Sequence, residues 1–402
     1  MEKKLLEFFT HELDPRNGGP SAYLFHLQQA IKKTGANYIE FLPSLARFEK
    51  SKQGATKTSL IKNLLKKIIP SLWINNRRIR NYVKFLRASA DPQLATIDLD
   101  QYAAIHFHES LDIWRYHHLL KNYRGQVLLT SHSPIPYHLE VLQEVFGIDQ
   151  NAISKPVLEK ISNIDDLAFT RADALIIPCE DAMDGYEKHW PAFKSLVENK
   201  PVHIALTGVP PATAKLSKEK ILEDHAIPPG SFVISYSARH SMVKGYDLLQ
   251  AAASELIYEF TDLYFLVAGN KLPHEKFTHT RWIMTGWTPD PASLVHAADV
   301  QVIPNRETFF DLNTLETLSM AKPVILADTG GNQYFRQFQS KGITLIQPAV
   351  QDIADAIRQA YRQKDMLAAW GEENKRIYDA SFTDDQFANH LLNLYKKIIY
   401  PG

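Results

Sequence analysis

The chain has 402 residues, 45% hydrophobic and 22% charged, with Lys plus Arg and Asp plus Glu balanced at 45 each. That length exceeds one comfortable core and predicts two domains, and a net charge of zero names no polyanionic partner. The single cysteine, Cys179, excludes an internal disulfide framework and suits a reducing compartment; no apolar run reaches the ~20 residues of a membrane span.

The amino-terminal stretch is charged, then apolar for a few residues only, with Glu7 inside it. It predicts a first strand, LLEFF, rather than a signal peptide, so the expected location is cytoplasmic. A Gly-rich loop containing Gly18 and Gly19 follows, then an amphipathic helix with Ser21 at its start and the strand NYIEFLP. Residues 47–87 carry twelve Lys or Arg and one acid, Glu49, a local charge of +11. Within it, TSLIKNLLKKIIP sets Leu60, Ile61, Leu64, Leu65, Ile68 and Ile69 on one helical face. A second helical pattern sets Ile79, Tyr82, Val83 and Leu86 inward and Arg77, Arg78, Arg80, Lys84 and Arg87 outward. Such helices can lie on an anionic membrane surface, or pack their apolar face on their own domain. Nucleic acid is disfavoured, because no interleaved aromatic platform accompanies the charge.

Short apolar strands are expected at 103–107, 126–130 and 174–177, separated by helical stretches. They make residues 1–209 a doubly wound α/β domain with a parallel sheet. Pro210-Pro211 forms a stiff connector, and residues 210–402 repeat the pattern. Strands are expected at 232–236, 263–267, 282–284, 300–303, 323–326 and 344–346, and a final amphipathic helix closes the chain. Two such domains place a cleft between them.

The chemistry-bearing residues concentrate in the second domain. Arg239 and Lys244 fall in a loop between a strand and a helix, where backbone amides and two cations suit a pyrophosphate. Asp311 is a good N-cap for a helix over 312–321, leaving amides at Leu312, Asn313 and Thr314 open to the cleft, with Glu316 on the first turns. Gly330-Gly331 after a strand would let backbone approach a ligand. In the first domain, His132 follows a strand in the turn Thr130-Ser131-His132-Ser133-Pro134. His106 and His108 alternate on a strand, but no third metal ligand is visible in the sequence. Cys179 ends an apolar strand and suits a buried thiol.

From Phe232 to Gly342 the chain resembles the donor domain of retaining GT-B glycosyltransferases of the family 4 type. The resemblance rests on Arg239, Lys244-Gly245, Val267-Ala268-Gly269, Gly286-Trp287, Ala298-Asp299-Val300, Pro304, Glu316, Lys322-Pro323-Val324 and Gly330-Gly331, in the family's order. The first domain matches more loosely, at Gly18-Gly19, Thr130-Ser131-His132, Ala172-Asp173-Ala174 through Glu180, and Thr207-Gly208-Val209. The resemblance implies a GT-B fold of two facing Rossmann-like domains and transfer of a sugar with retention from a nucleotide-diphosphate donor, UDP favoured over GDP. It implies Arg239 and Lys244 on the diphosphate, Glu316 on the ribose and the backbone of Gly286-Trp287 at the base. It also implies His132 beside the transferred sugar, Gly18-Gly19 bordering phosphates and acceptor, and no metal or other cofactor. Three departures stand out: Thr308 occupies the place of the family's first Glu, with acidic Glu307 beside it, Asp311 occupies the place of the family's Gly three positions later, and Tyr334 replaces a Glu after Gly-Gly. The implied partners are a nucleotide sugar, a glycan or lipid-linked acceptor in bacterial surface-polysaccharide assembly, and an anionic inner membrane surface through 47–87. Two alternatives remain open, a protein-directed transferase and a non-catalytic GT-B partner subunit.

Overall fold

The computed structural model describes residues 4–16, 18–43, 70–88, 93–270 and 277–400. It contains two six-stranded sheets in which every neighbouring pair is parallel. The first comprises β1 (Lys4–Phe9), β2 (Ile39–Pro43), β3 (Tyr102–Phe107), β4 (Gln126–Leu129), β5 (Ala174–Ile177) and β6 (Val202–Ile204), in the order 2-1-3-4-5-6. The second comprises β7 (Phe232–Ser237), β8 (Leu263–Ala268), β9 (Trp282–Gly286), β10 (Val300–Ile303), β11 (Val324–Ala327) and β12 (Ile343–Ile346), in the order 12-11-10-7-8-9. Strands buried on both faces are continuous apolar runs, which is why eleven of these segments are legible in sequence. The exception is β6, an edge strand with Val202 and Ile204 exposed.

The principal helices are α1 (Gly19–Thr34), α2 (Ser71–Ala88), α3 (Ser110–Leu120), α4 (Lys155–Arg171), α5 (Tyr246–Glu259), α6 (Leu312–Ser319), α7 (Val350–Arg362), α8 (Leu367–Ser381) and α9 (Asp384–Ile399). Two ends differ from expectation. Helix α1 begins at Gly19 rather than at Ser21, whose hydroxyl instead donates to the Glu12 carbonyl and accepts from the Asp14 amide, folding the Gly loop back on itself. Helix α6 stops at Ser319 rather than 321, because Ala321 turns left-handed at φ 55°.

Both sheets use one device to fix strand register. Asp173, just before β5, donates its amide to the Val127 carbonyl and accepts the Val127 amide on its carboxylate at 2.8 Å. Asp299, just before β10, does the same with Val233, again at 2.8 Å. A carboxylate accepting a strand's first amide removes an orphan donor that the adjacent strand does not reach.

The basic insertion divides. The helix expected over 58–70 lies outside the described residues. The second is α2: Ile79, Val83 and Leu86 are buried with Trp114 of α3 and Val157 and Ile161 of α4, while Arg77, Arg78, Arg80, Lys84 and Arg87 are exposed. Its apolar face is therefore committed to its own domain. At the other end, α9 begins with a capping box at Thr383 and Gln386 and buries Phe387, Leu391, Tyr395 and Ile399 among Leu5, Leu24, Leu27 and Ile31. Each such side chain contributes roughly 1.5–3 kcal/mol when fully buried. The last helix thus completes the core of the first sheet. Between the sheets, Phe309, Phe310, Phe335 and Phe382 join Cys179, Ala182 and Met183 in one buried cluster.

Candidate active site

Parallel sheets open a crevice where neighbouring crossovers leave in opposite directions, at the carboxyl ends of the strands. In the second sheet that point lies between β7 and β10, and in the first between β1 and β3. Arg239 and Lys244 follow β7, residues 304–311 and α6 follow β10, Gly18 and Gly19 follow β1, and His132 follows β4.

On the second-domain side the two loops are clamped together. Gly245 adopts φ 64° at the start of α5, and a Cβ there would lie 1.9 Å from the Pro304 carbonyl oxygen, so only glycine permits the contact. Arg306 holds Asp247 with two bonds of 2.6 and 2.7 Å, and its amide donates to the Val243 carbonyl. Lys244 Nζ lies 2.8 Å from Asp311 Oδ2, which also accepts from Asn305 Nδ2 at 2.6 Å. Burial pushes the Asp311 carboxyl up, but Lys244 and its hydrogen-bond donors outweigh burial and hold it below the ordinary value.

Asp311 caps α6, and this changes what the helix start offers. The Asn313 amide donates to Asp311 Oδ1 at 3.2 Å and the Thr314 amide to the Asp311 carbonyl at 3.1 Å. Those two amides, expected to be open, are occupied by the cap; neither Asn313 nor Thr314 presents a free backbone donor. Leu312 packs partly buried against the cores of both sheets. The Asn313 side chain donates to the Ser237 carbonyl at 3.0 Å.

Polar groups without partners gather beside this helix. Glu316 is half-buried, and its carboxyl makes no hydrogen bond or ion pair among the described residues. Burial, with Asp311 adding to it, pushes its pKa up to about 7. The buried hydroxyls of Ser237 and Thr314 also lack partners among the described residues. Orphaned buried polar atoms are uncommon in native folds, and a cluster of them marks a place where a polar ligand belongs.

Arg239 is different in kind. Its side chain is 59% exposed and reaches across the cleft to Glu140 at 3.3 Å and Glu144 at 3.9 Å. An ion pair this exposed is worth under about 1 kcal/mol and is readily exchanged for a phosphate. Gly286 ends β9 at φ 75° with open space around it, and Trp287 beside it is 58% exposed. Gly18 and Gly19 likewise have nothing within 4 Å of a would-be Cβ, and Gly18 has φ 100°.

Two sequence expectations need correcting here, at Thr308 and at Gly330-Gly331. Thr308 is buried at 4% exposure, and its hydroxyl accepts from Asn305 Nδ2 at 3.0 Å, so it sits inside the loop rather than in the open cleft. Glu307 points away to the first domain, where it binds Lys188 at 2.6 Å and His189 at 2.9 Å. Gly330 and Gly331 make their close approach to the chain itself: added Cβ atoms would meet the carbonyl oxygens of Thr308 and Phe309.

On the first-domain side, His132 has φ 54°, a left-handed conformation that costs a non-glycine residue roughly 1–3 kcal/mol and concentrates at functional sites. Its ring stacks on His108 and meets Tyr23 edge-on, with Phe309 of the second domain 5.8 Å away. His132 Nε2 lies 2.9 Å from His108 Nδ1, and His108 Nε2 lies 2.7 Å from Glu7 Oε2. His106 and His108, which alternate on β3, are fully buried beneath the cleft, and Glu7 joins them. Glu7, His106 and His108 place three ligand-type atoms within 4.8 Å of one another, so the third metal-ligand type missing from the sequence pattern is present in space. These atoms already bond one another directly, and a cation would have to replace those contacts. Cys179 is buried, and burial pushes its thiol up to about 12, which leaves it inert.

Glu7 and Tyr395 were missed as site residues. Glu7 carried a signal, a lone carboxylate inside an apolar strand, whereas Tyr395 occupies an ordinary core position of an amphipathic helix.

Comparison with known proteins adds three findings. Residues 231–363 match the family model described as Glycosyl transferases group 1. The D-inositol 3-phosphate glycosyltransferase of Corynebacterium urealyticum is 24% identical over 248 residues, covering 56% of this chain and 57% of that protein. The alpha-D-kanosaminyltransferase of Streptomyces kanamyceticus is 21% identical over 176 residues, covering 41% and 46%. The match thus spans little more than half the length of the first of these relatives and less than half of the second. Among solved structures, the sucrose-phosphate synthase of Thermosynechococcus elongatus superposes with a TM-score of 0.67 at 17% identity, covering both chains completely. Anabaena HepE, in complex with UDP and glucose, gives 0.62 at 13% identity, covering 98% of this chain and all of the other. The architecture is GT-B: two Rossmann-like parallel-sheet domains facing across a cleft.

Proposed function

We propose that the chain is a glycosyltransferase that moves a sugar from a nucleoside-diphosphate donor to a hydroxylated acceptor. The observation that carries this reading is Glu316: a half-buried carboxyl without a partner among the described residues, one turn into a helix whose cap is paired to Lys244. A diol is the neutral group such a carboxyl takes best, since it can accept from both hydroxyls at once. The matched glycosyl transferases group 1 region, 231–363, contains all of these residues.

In this reading the donor diphosphate displaces Glu140 and Glu144 from Arg239, and Lys244 turns from Asp311 to a phosphate oxygen. Ribose hydroxyls occupy Glu316 and the base lies by Gly286 and Trp287. The acceptor oxygen attacks the anomeric carbon from the face that the nucleoside diphosphate leaves. The bond from that carbon to phosphate oxygen breaks, and the acceptor proton passes to the departing phosphate, so configuration is retained. Arg239 and Lys244 stabilise the charge that accumulates on the leaving group. These two cations make a metal unnecessary at the diphosphate, and UDP is the favoured nucleotide.

A glycan or lipid-linked acceptor of bacterial surface-polysaccharide assembly fits the exposed basic face of α2, which would rest on the inner, anionic face of a membrane. No helix of the described residues is long and apolar enough to cross a membrane. Co-sedimentation with anionic liposomes at low and high salt tests this: an unbound protein at low salt removes the membrane and leaves a soluble or protein acceptor. A second reading, a non-catalytic nucleotide-sugar-binding subunit, is favoured by one observation, the hydroxyl of Thr308 being engaged within its own loop. Incubation with UDP-sugars and a panel of acceptors, followed by nucleotide release and the anomeric coupling of the product, separates the two. Nucleotide binding without any release, transfer or hydrolysis would support the silent subunit.

A further inference from the structure

Beneath the cleft, the first sheet holds a chain of ionisable side chains that the transfer chemistry above does not use. The order of its protons follows from the contacts. Thr130 Oγ1 donates to the Ile176 carbonyl at 2.7 Å, so at 2.9 Å from His106 Nε2 it can only accept, and that nitrogen carries a proton. The Tyr395 hydroxyl, from α9, donates to Glu7 Oε1 at 2.5 Å, so its oxygen accepts from His106 Nδ1 at 2.8 Å, and the same Nδ1–H lies 3.1 Å from Glu7 Oε2. Glu7 is therefore held from three sides. Burial pushes its carboxyl up, but His106 and His108 outweigh burial and keep it ionised, well below the usual range.

An ionised Glu7 accepts only, so His108 donates to it from Nε2. Burial, with His106 adding to it and Glu7 opposing, brings His108 down to about 4, and at neutral pH its ring has a single proton. His108 Nδ1 is then a bare lone pair, and the 2.9 Å contact to His132 requires that His132 donate from Nε2. Burial, then the neighbouring histidines, lowers His132 well below its ordinary value, so this ring is also neutral. What remains at His132 is Nδ1, a lone pair that makes no hydrogen bond among the described residues.

We infer that Glu7 and His108 are positioning residues that lock His132 in its Nε2–H tautomer, so that Nδ1 faces the reaction as an acceptor for a substrate hydroxyl. Tyr395 completes the arrangement: the last helix of the chain pins the carboxylate that orients the histidine. The tautomer lock is a property of the free protein; only its use toward a sugar or acceptor hydroxyl rests on the transferase reading. The same chain of three is what a ring needs to present one defined nitrogen, because a neutral imidazole left alone exchanges between two tautomers.

The test is a long-range proton–nitrogen NMR spectrum of the full-length protein with labelled histidine, His132 assigned by difference from His132→Asn. The expected pattern for His132 is protonated Nε2 and bare Nδ1. Protonated Nδ1, or a doubly protonated ring at pH 7, would overturn the inference. Glu7→Gln presents His108 with an amide that can donate or accept, so the single His132 pattern should give way to a mixture of both tautomers. A folded Glu7→Gln protein with an unchanged His132 pattern would also overturn it. If Glu7→Gln fails to fold, the wild-type pattern and Tyr395→Phe, which removes only the hydroxyl, still decide; Tyr395→Phe should show a mixture of tautomers, and an unmixed Nε2–H form would remove the helix from the inference. In turnover, Glu7→Gln should lower kcat on the order of 10²-fold with the donor KM unchanged. The Nε2–H pattern in a wild-type protein that transfers no sugar would sink the transferase reading and leave the lock standing.

Discussion

The two domains share a scaffold and differ in how their polar groups are satisfied. Each is a six-stranded parallel sheet, each pins a strand with an aspartate, Asp173 or Asp299, and each opens its crevice at a switch in strand order. At the first switch Glu7, His106, His108, Thr130 and Tyr395 form a bonded, buried network. At the second, the hydroxyls of Ser237 and Thr314 and the carboxyl of Glu316 have no partners among the described residues, and Lys244 and Arg239 are paired with carboxylates. A satisfied network holds geometry, whereas an unsatisfied one awaits a ligand. In the proposed reading, one half orients and the other binds.

The largest expected effect separates those roles. Lys244→Ala should abolish the thermal shift given by UDP or its sugars, a stabilisation of ~2.7 kcal/mol when ligand exceeds its Kd a hundredfold. The same measurement on His132→Asn should keep the shift, since His132 belongs to the orienting half. An undiminished shift in the lysine variant breaks the assignment of binding to the second domain.

Next come the paired clamps. Asp173→Ala and Asp299→Ala should each cost about 1–3 kcal/mol, because each leaves a strand amide without its acceptor. Denaturant titration of both variants compares the halves directly; a loss in one alone would mean that the shared geometry does not carry shared energy.

Smaller is the pH effect of Glu316, whose pKa is pushed to about 7 in the folded chain from an ordinary 4.5. The folded state keeps a proton that the unfolded state has released, so this contribution is full below 4.5 and is lost as pH rises through about 7. Glu316→Gln should therefore flatten that loss and stabilise the nucleotide-free protein at pH 8 by about 1 kcal/mol, partial exposure reducing the full shift. Melting curves from pH 4.5 to 8 check it, and a variant with the same slope as the wild type would mean that Glu316 is ordinarily solvated.

Least of all, Glu307→Gln weakens the pair to Lys188 and His189 between the domains by under about 1 kcal/mol. Nucleotide affinity should stay unchanged. A clear loss of affinity would instead place Glu307 in the donor site, where the residue pattern alone left it beside Thr308.

Much of the architecture could be read before any coordinates, since strands buried on two faces are apolar runs and helices alternate with them at regular spacing. Asp311 as a cap, the buried Cys179 and the inward face of α2 follow from local rules that need only a few neighbouring residues. The cap's consequence did not follow: a good N-cap consumes the amides that a bare helix start would offer. Gly330 and Gly331 were legible as sites of close approach, yet what they approach is Thr308 and Phe309, a fact of loop packing. The orienting network lay further out of reach. Glu7 and Tyr395 are 388 positions apart, and they meet because α9 returns from the second domain to cover β1. Periodicity and spacing carry information over one element at a time, and so they determine elements, their order and the capacity to bind an anion. Which protons face the cleft depends on contacts between segments that only the assembled chain brings within 3 Å.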